Sequence, residues 1–398
     1  MLKHIDCFAG VGGVATGFHA AGISTCLAIE KVDTCAETYS ANHPNTPLIK
    51  GDIRDVRDAE IRQHVEGDVD VVTAGMPCET FSTAGSSSRS FYDHRQTLFE
   101  EAIRIADTVN SKFILFENVP GFANKKVAKD SSELVIDLLR KSLQEHGYNN
   151  KIEIVLNAKD YGVPQSRQRL FVLASRENVQ LTAPHASNNR VTVGEAFANL
   201  PHVDTAGPII SDEFLPVTND YLSLLANHKF WNMPNGSKCT YQKSPKHRPH
   251  TIKRFELIQT GEGLKSLFDR LPQHEVERLQ SERILPKKWY IQRNRRLNPA
   301  DVSPTVTSHC IDELLHPTLN RAITVREAAR LQSFPDSYDF IGGPEICPHV
   351  YETQDKYEQI GDAVPPLMAY SWAVKLKELL NAGRGAPRAN YSSMCGAL

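Results

Sequence analysis

The chain has 398 residues, more than one small hydrophobic core organises, so two domains are expected. Its 40% hydrophobic and 23% charged residues are ordinary for a soluble globular enzyme, and a net charge of −2 gives the molecule as a whole no nucleic-acid signature. No apolar run approaches the roughly 20 residues of a membrane span and no secretory segment opens the sequence, which excludes a membrane protein and points to a soluble cytoplasmic one.

Residues 3–8 alternate into an apolar strand, Gly10, Gly12 and Gly13 make a tight turn, and 14–21 reads as a helix. Further strands are expected at 24–29, 48–50, 69–73, 113–116, 151–156 and 169–174, with helical periodicity at 100–109 and 133–143. Strands alternating with helices predict an α/β fold, a doubly wound and mainly parallel sheet. From about residue 177 to 299 prolines, asparagines and irregular stretches break this rhythm, which marks a second, smaller domain. Regularity returns with a helix at 324–332 and a last helix at 365–380 that opens with proline. The boundaries read from this are 1–176 for a catalytic and cofactor-binding domain, 177–340 for a small irregular domain, 341–385 for a segment returning to the first, and 386–398 for a tail.

The eight cysteines are scattered without a CxxC pair, which argues against a zinc site and against a disulfide framework. Charge is unevenly placed. Lys238, Lys243, Lys246, Arg248, Lys253 and Arg254 form one basic run, and Arg283, Lys287, Lys288, Arg293, Arg295 and Arg296 another, each without an acidic residue inside it. With His247, His250, Trp289 and Tyr290 interleaved, the two runs tilt toward a polyanion-binding surface rather than a merely solvated face.

The segment Asp6-Cys7-Phe8-Ala9-Gly10-Val11-Gly12-Gly13 follows a strand and opens a helix, as a nucleotide-binding turn does. Glu30 closes the next strand, where an acid can take both hydroxyls of a ribose, and Asp52 lies where a carboxylate can accept from an adenine amino group. Any nucleoside cofactor suits these residues, and an NAD oxidoreductase has to be weighed. It leaves the rest of the chain unexplained.

After the strand at 69–73 comes Ala74-Gly75-Met76-Pro77-Cys78-Glu79-Thr80-Phe81-Ser82, and after 113–116 comes Glu117-Asn118-Val119-Pro120-Gly121. A thiol and a carboxyl at neighbouring strand ends can converge on one planar ring. Gln165-Ser166-Arg167-Gln168-Arg169 puts two arginines on alternate residues, hence on one side of an extended stretch. Guanidinium groups there suit a pyrimidine carbonyl or phosphates. Singly, Cys78 reads as an inert small hydrophobe, Glu117 as a cap and the arginines as a surface stripe; their joint placement argues for chemistry.

Taken together, these segments resemble the DNA (cytosine-5) methyltransferase family. The matching motifs run in that family's order: 6–13, Glu30, Gly51-Asp52-Ile53, 75–82, Thr97-Leu98-Phe99, 116–120, 161–169, 321–335 and 359–366. The resemblance implies a class I, Rossmann-like catalytic domain that uses S-adenosyl-L-methionine and methylates carbon 5 of a cytosine flipped out of duplex DNA. It implies Cys78 as nucleophile, Glu117 on N3 and Arg169 on the cytosine carbonyl, with Arg167 supporting the same pocket. Phe8, Ala9, Gly10, Gly12, Gly13, Glu30, Asp52, Ile53, Pro77, Leu98, Asp362, Ala363 and Val364 are the implied cofactor residues. The target-recognition region falls at 177–320, so that Lys238, Lys243, Lys246, Arg248, Arg293, Arg295 and Arg296, together with Ser82, are the implied DNA contacts.

Three positions depart from the family pattern: Glu79 stands where glutamine is usual, Asp362 where asparagine is, and Lys31 where many relatives have an aromatic. None removes a group the chemistry needs. Methylation of transfer RNA by the same residues, and a DNA-binding regulator that no longer catalyses, are the competing readings; the long basic region argues against the first and an intact Cys78, Glu117 and Arg169 against the second. A restriction-modification role, with an endonuclease acting separately, and a monomer without metal complete the expectations.

Overall fold

The computed structural model describes residues 2–77, 97–128, 131–187, 189–203, 212–234, 238–346 and 353–383. Cys78, Glu79, Ser82 and the tail expected from residue 386 lie outside the described residues. The first half alternates as the sequence predicts: β1 Leu2–Cys7, α1 Gly13–Ala20, β2 Ile23–Glu30, α2 Asp33–Asn42, β3 Leu48–Lys50, α3 Asp58–His64, β4 Val71–Gly75, α4 Leu98–Thr108, β5 Phe113–Asn118, α5 Val135–Glu145, β6 Asn150–Asn157 and β7 Gln168–Ser175. These strands make one seven-stranded sheet in the order β3-β2-β1-β4-β5-β7-β6. β1 to β5 are parallel, whereas β7 runs antiparallel to both β5 and β6.

Side-chain alternation divides the sheet between two cores. Val71, Phe113, Leu115, Phe171 and Leu173 face one side, with Phe18 of α1. Val72, Ile114, Phe116, Val172 and Ala174 face the other, with Phe99 and Ile103 of α4 and Leu139 of α5. Burial on both faces is why these strands are continuous runs of β-branched and aromatic residues.

The second half is built from short helices: α6 Val193–Phe197, α7 Asp220–Ala226, α8 His228–Trp231, α9 Pro249–Leu257, α10 Leu264–Arg270 and α11 Gln273–Ser281, then the parallel pair β8 Arg295–Arg296 and β9 Leu314–Leu315 flanking α12 Cys310–Glu313. Phe255, Leu264, Leu267, Val276, Leu279 and Leu315 form a separate small core. By contrast Val193, Leu222, Trp231 and Val306 enter the core shared with α1. The chain closes with α13 Val325–Leu331, α14 Lys356–Asp362 and α15 Pro366–Gly383.

α13 starts at a full capping box, with Thr324 and Glu327 exchanging hydrogen bonds. Its polar residues do not face water. Glu327 takes Arg321 at 2.8 and 2.6 Å, Arg330 takes Asp336 at 2.9 Å, and Arg326 donates to the carbonyl of Tyr338 at 2.9 Å, all of them buried. Burial is tolerated because every charge meets a partner. α15 packs against α1 through glycine: a Cβ on Gly17 would stand 2.4 Å from the Pro366 carbonyl oxygen and 2.5 Å from the Tyr370 nitrogen.

Candidate active site at the strand ends

Chain order reverses between β1 and β4, which lie side by side with Cys7 opposite Ala74. Open α/β sheets take ligands at such a point, outside the carboxyl ends of the strands. Two loops meet there. One is the turn between β1 and α1; the other leaves β4 through Met76 and Pro77.

The first loop needs its glycines. Phe8, Gly10 and Gly12 have φ of 58, 54 and 89°, a region ordinary side chains avoid. A Cβ on Gly13 would come within 2.2 Å of the Val364 carbonyl oxygen, so the far end of the chain lies directly on this loop. Glu30, at the end of β2, accepts from the amides of Gly10 and Val32, both at 2.7 Å. Burial pushes its carboxyl up, and those amide bonds draw it back. The open space beside Gly10, where a Cβ would meet nothing within 4 Å, and a carboxylate fixed at the adjoining strand end fit a nucleoside cofactor.

Asp52 is more heavily engaged than its sequence position suggests. Arg54 donates to it from Nε at 2.9 Å and Nη2 at 2.6 Å, and Lys31 from Nζ at 3.0 Å. The Arg54 guanidinium first, and Lys31 with it, hold the carboxyl well below the usual range. An adenine amino group would share this carboxylate with two cations. Lys31, the departure noted above, therefore has a partner in Asp52. Ile53 and Leu98 are buried in the core beneath. Asp362 is exposed and accepts from Gln354 at 3.0 Å, while Ala363 and Val364 lead from it into the α1 contact.

At the second loop, Gly75 of β4 pairs with Glu117 of β5, which makes the end of β4 and Glu117 lateral neighbours. Glu117 ends up within β5 rather than past it, because the strand runs two residues further than the sequence predicts. Arg169 reaches it from the antiparallel neighbour β7, its Nε 2.9 Å from Oε1 with both side chains largely buried. Glu117 also lines a cavity with Thr73, Ala74, Gly75 and Val364. Arg167 has a different surrounding from Arg169. It is buried and donates to the Val306 carbonyl at 2.8 Å. Around it Ser166 bonds Ser303, Thr305 bonds the Ser166 carbonyl and Gln165 bonds Val306, Leu331 and Gln332, stitching the loop before β7 to the second half. Arg167 itself precedes the strand, which begins at Gln168.

Sequence reading passed over the polar chain beneath the glycine loop. Thr25 bonds His4 Nδ1 at 3.0 Å, His4 Nε2 bonds Thr73 at 2.7 Å, and Thr73 donates to Asp6 at 2.9 Å. Burial pushes the Asp6 carboxyl up to about 7, against the hydrogen bond from Thr73. Next to it, Thr16 donates to the Gly12 carbonyl at 2.7 Å and contacts His43 Nε2 at 3.2 Å, and the Tyr338 hydroxyl donates to the Val11 carbonyl. The only signal was polar residues interrupting apolar strands.

The expected DNA surface is reshaped by the fold. Arg296 is not part of it: only 5% exposed, it donates to the carbonyls of Ile258, Phe255, His316 and Leu319 and to Asn320, pinning the small core. Lys238 meets Asp212 at 2.8 Å, Lys243 meets Glu345 at 3.2 Å, and Arg293 meets Asp312 at 3.4 Å, so acids from distant segments oppose charges that are unopposed in sequence. Lys246, Arg248, Lys287, Lys288 and Arg295 are exposed. Among the described residues no group of histidine, cysteine and acidic side chains is arranged to hold a metal, and no helix is long and apolar enough to cross a membrane.

A family model described as C-5 cytosine-specific DNA methylase matches residues 2–378. The chain is 33% identical over 384 residues to the Type II methyltransferase M.DdeI of Desulfomicrobium norvegicum, covering 94% of this chain and 88% of that protein. It is 29% identical over 375 residues to the Type II methyltransferase M1.HphI of Haemophilus parahaemolyticus, covering 94% and 86%. Among solved structures, a putative DNA modification methyltransferase encoded within an Escherichia coli prophage superposes with a TM-score of 0.70 at 23% identity, covering 96% of this chain and 100% of that one, which shows a shared fold.

Proposed function

Since the chain belongs to the C-5 cytosine-specific DNA methylase family and is a DNA cytosine-5 methyltransferase of the Type II kind, we propose that it acts by covalent catalysis through Cys78 on a cytosine extruded from the duplex. The observation that carries this reading is the Glu117–Arg169 pair, 2.9 Å apart, at the strand end beside Gly75. Cys78 follows Gly75 by three residues, so a ring engaged by Glu117 is within the compass of the thiol. Carbon 5 of cytosine is too weak a nucleophile to be methylated directly, and addition of the Cys78 thiolate to carbon 6 makes the 4,5-bond an enamine. A protonated Glu117 oxygen donates to N3, where this addition puts negative charge, while Arg169 holds the other oxygen. Arg169 also lies within reach of the ring carbonyl. After methylation a water takes the carbon 5 proton, the bond from sulfur to carbon 6 breaks, N3 returns its proton to Glu117, and Cys78 returns as thiolate.

S-adenosyl-L-methionine, when bound, supplies the electrophilic methyl group. Its ribose fits Glu30, its adenine Asp52 and Ile53, and the loop from Phe8 to Gly13 would hold the remainder with Pro77, Leu98 and the Asp362–Val364 turn. The target cytosine has to leave the stack, because neither face of the ring is reachable in duplex DNA. We place recognition on the helical unit of α9 to α11 with its own small core, where Lys246, Arg248, Lys287, Lys288 and Arg295 are exposed. The marked sequence would be protected from a separately acting endonuclease.

Bisulfite sequencing of plasmid DNA from cells that express the chain tests the reading. One short motif should carry protected cytosines, and Cys78→Ala should abolish them. Near-normal methylation by Cys78→Ala would sink the covalent mechanism, and none by the unaltered chain would remove the DNA substrate.

A further inference from the structure

Three large apolar side chains stand in water on the α9–α11 unit: Trp289 is 38% exposed, Tyr290 62% and Ile291 70%. Tyr290 and Ile291 are the most exposed large hydrophobic residues among those described. They are consecutive, and their backbone is braced. The Arg293 amide closes a turn onto the Tyr290 carbonyl at 3.1 Å, and the Leu264 amide takes the Arg293 carbonyl at 3.4 Å. Asn294, in the left-handed region at φ 52°, donates from both its amide and its Nδ2 to the Asp312 carbonyl at 3.1 and 2.9 Å, and accepts from Arg254 at 3.3 Å. Cations flank the rings, Lys265 Nζ 5.6 Å from the centre of Trp289 and the Arg293 guanidinium 5.7 Å from that of Tyr290. Folding therefore spends local structure on holding an apolar tip outward, where it contributes nothing to the core.

Charge decides the occupant. Of the six cations from 283 to 296, Arg296 is buried and Arg293 meets Asp312, while Arg283, Lys287, Lys288 and Arg295 are exposed. A second copy of the chain docking by the same patch would oppose like charges, whereas DNA brings phosphates to the rim and apolar base surface to the middle. We infer that Trp289, Tyr290 and Ile291 are a reading tip laid on the base edges of duplex DNA in the major groove, with Lys287, Lys288 and Arg295 on the flanking phosphates. The apolar feature offered there is the thymine methyl group, so the tip discriminates at one position of the recognised sequence. The inference rests on the methyltransferase reading above.

Trp289 reports on itself. The chain has three tryptophans, and Trp231 and Trp372 are each 1% exposed, so acrylamide quenches Trp289 alone. Mixed-sequence duplex DNA at low salt should lower that quenching at least about twofold as the indole is covered, with binding followed separately by the anisotropy of the labelled duplex. Unchanged quenching with DNA bound, failure to bind, or protection that grows with protein concentration without DNA would each overturn the tip. In cells, Tyr290→Ala and Ile291→Ala should keep methylating, and bisulfite sequencing should show preference at one motif position relaxed on the order of tenfold. An unchanged motif in both variants overturns the inference while leaving the enzyme intact. If the unaltered chain marks no cytosine the function reading falls instead, and quenching alone decides whether the tip meets DNA.

Discussion

His43 lies under the glycine loop, in contact with Thr16 and against Gly12. Burial, and then the neighbouring His19, push its pKa down to about 3, and burial pushes His19 down to about 4. A histidine held neutral in the folded state takes up protons in the unfolded chain below pH ~6.5, so stability falls as pH drops through that window, by about 1.4 kcal/mol per pH unit for each such group. Asp6, raised to about 7, acts oppositely: its contribution is present at low pH and is lost as pH rises from ~4 to ~7. The histidines outnumber it. Urea midpoints measured from pH 7 to pH 5 should decline, and less steeply in His43→Gln; parallel declines would remove His43 from the account. At the catalytic end, Glu117→Gln keeps the shape but loses the ion pair with Arg169. Its kcat should fall roughly a hundredfold or more with DNA affinity retained, and a kcat within threefold would show that the carboxyl is dispensable.

At the scale of elements, α1 lies directly against the Val364 turn and α15, and the sequence shows this only as two glycines, Gly13 and Gly17, one helical turn apart. Gly17→Ala would improve helix propensity in isolation, yet here it presses on Pro366 and Tyr370 and should cost about 1–3 kcal/mol. A higher melting temperature for that variant would refute the close approach. The strands were legible because burial on both faces leaves unbroken apolar runs, and the motifs at Gly10, Glu30 and Glu117 because turns and strand ends have few residue options. What stayed hidden was pairing between distant segments. Nothing local marks Val364 as the partner of Gly13, Asp212 as that of Lys238, or the Val306 carbonyl as that of Arg167. Arg296 was misread for the same reason, since a basic run looks alike whether its members meet water or carbonyls.

Over the whole molecule, that distinction separates charges that bind from charges that build. Lys287→Ala and Lys288→Ala should leave the melting temperature unchanged and lower the slope of log K against log salt by about 0.9 for each phosphate left unneutralised. Arg296→Ala should do the reverse, because it strands buried carbonyls in the small core without touching the surface. Equal salt slopes in the lysine variants would take them off the DNA.

The seam between α1 and α15 has a consequence in time. Lys377 Nζ bonds the Ala21 carbonyl across 356 residues of sequence, and the Val364 carbonyl abuts Gly13. A ribosome adding about 5–20 residues per second needs roughly 20–70 s to make the intervening chain. Until then the glycine loop has no lid. A nascent or truncated chain that lacks Val364 therefore leaves this loop uncovered.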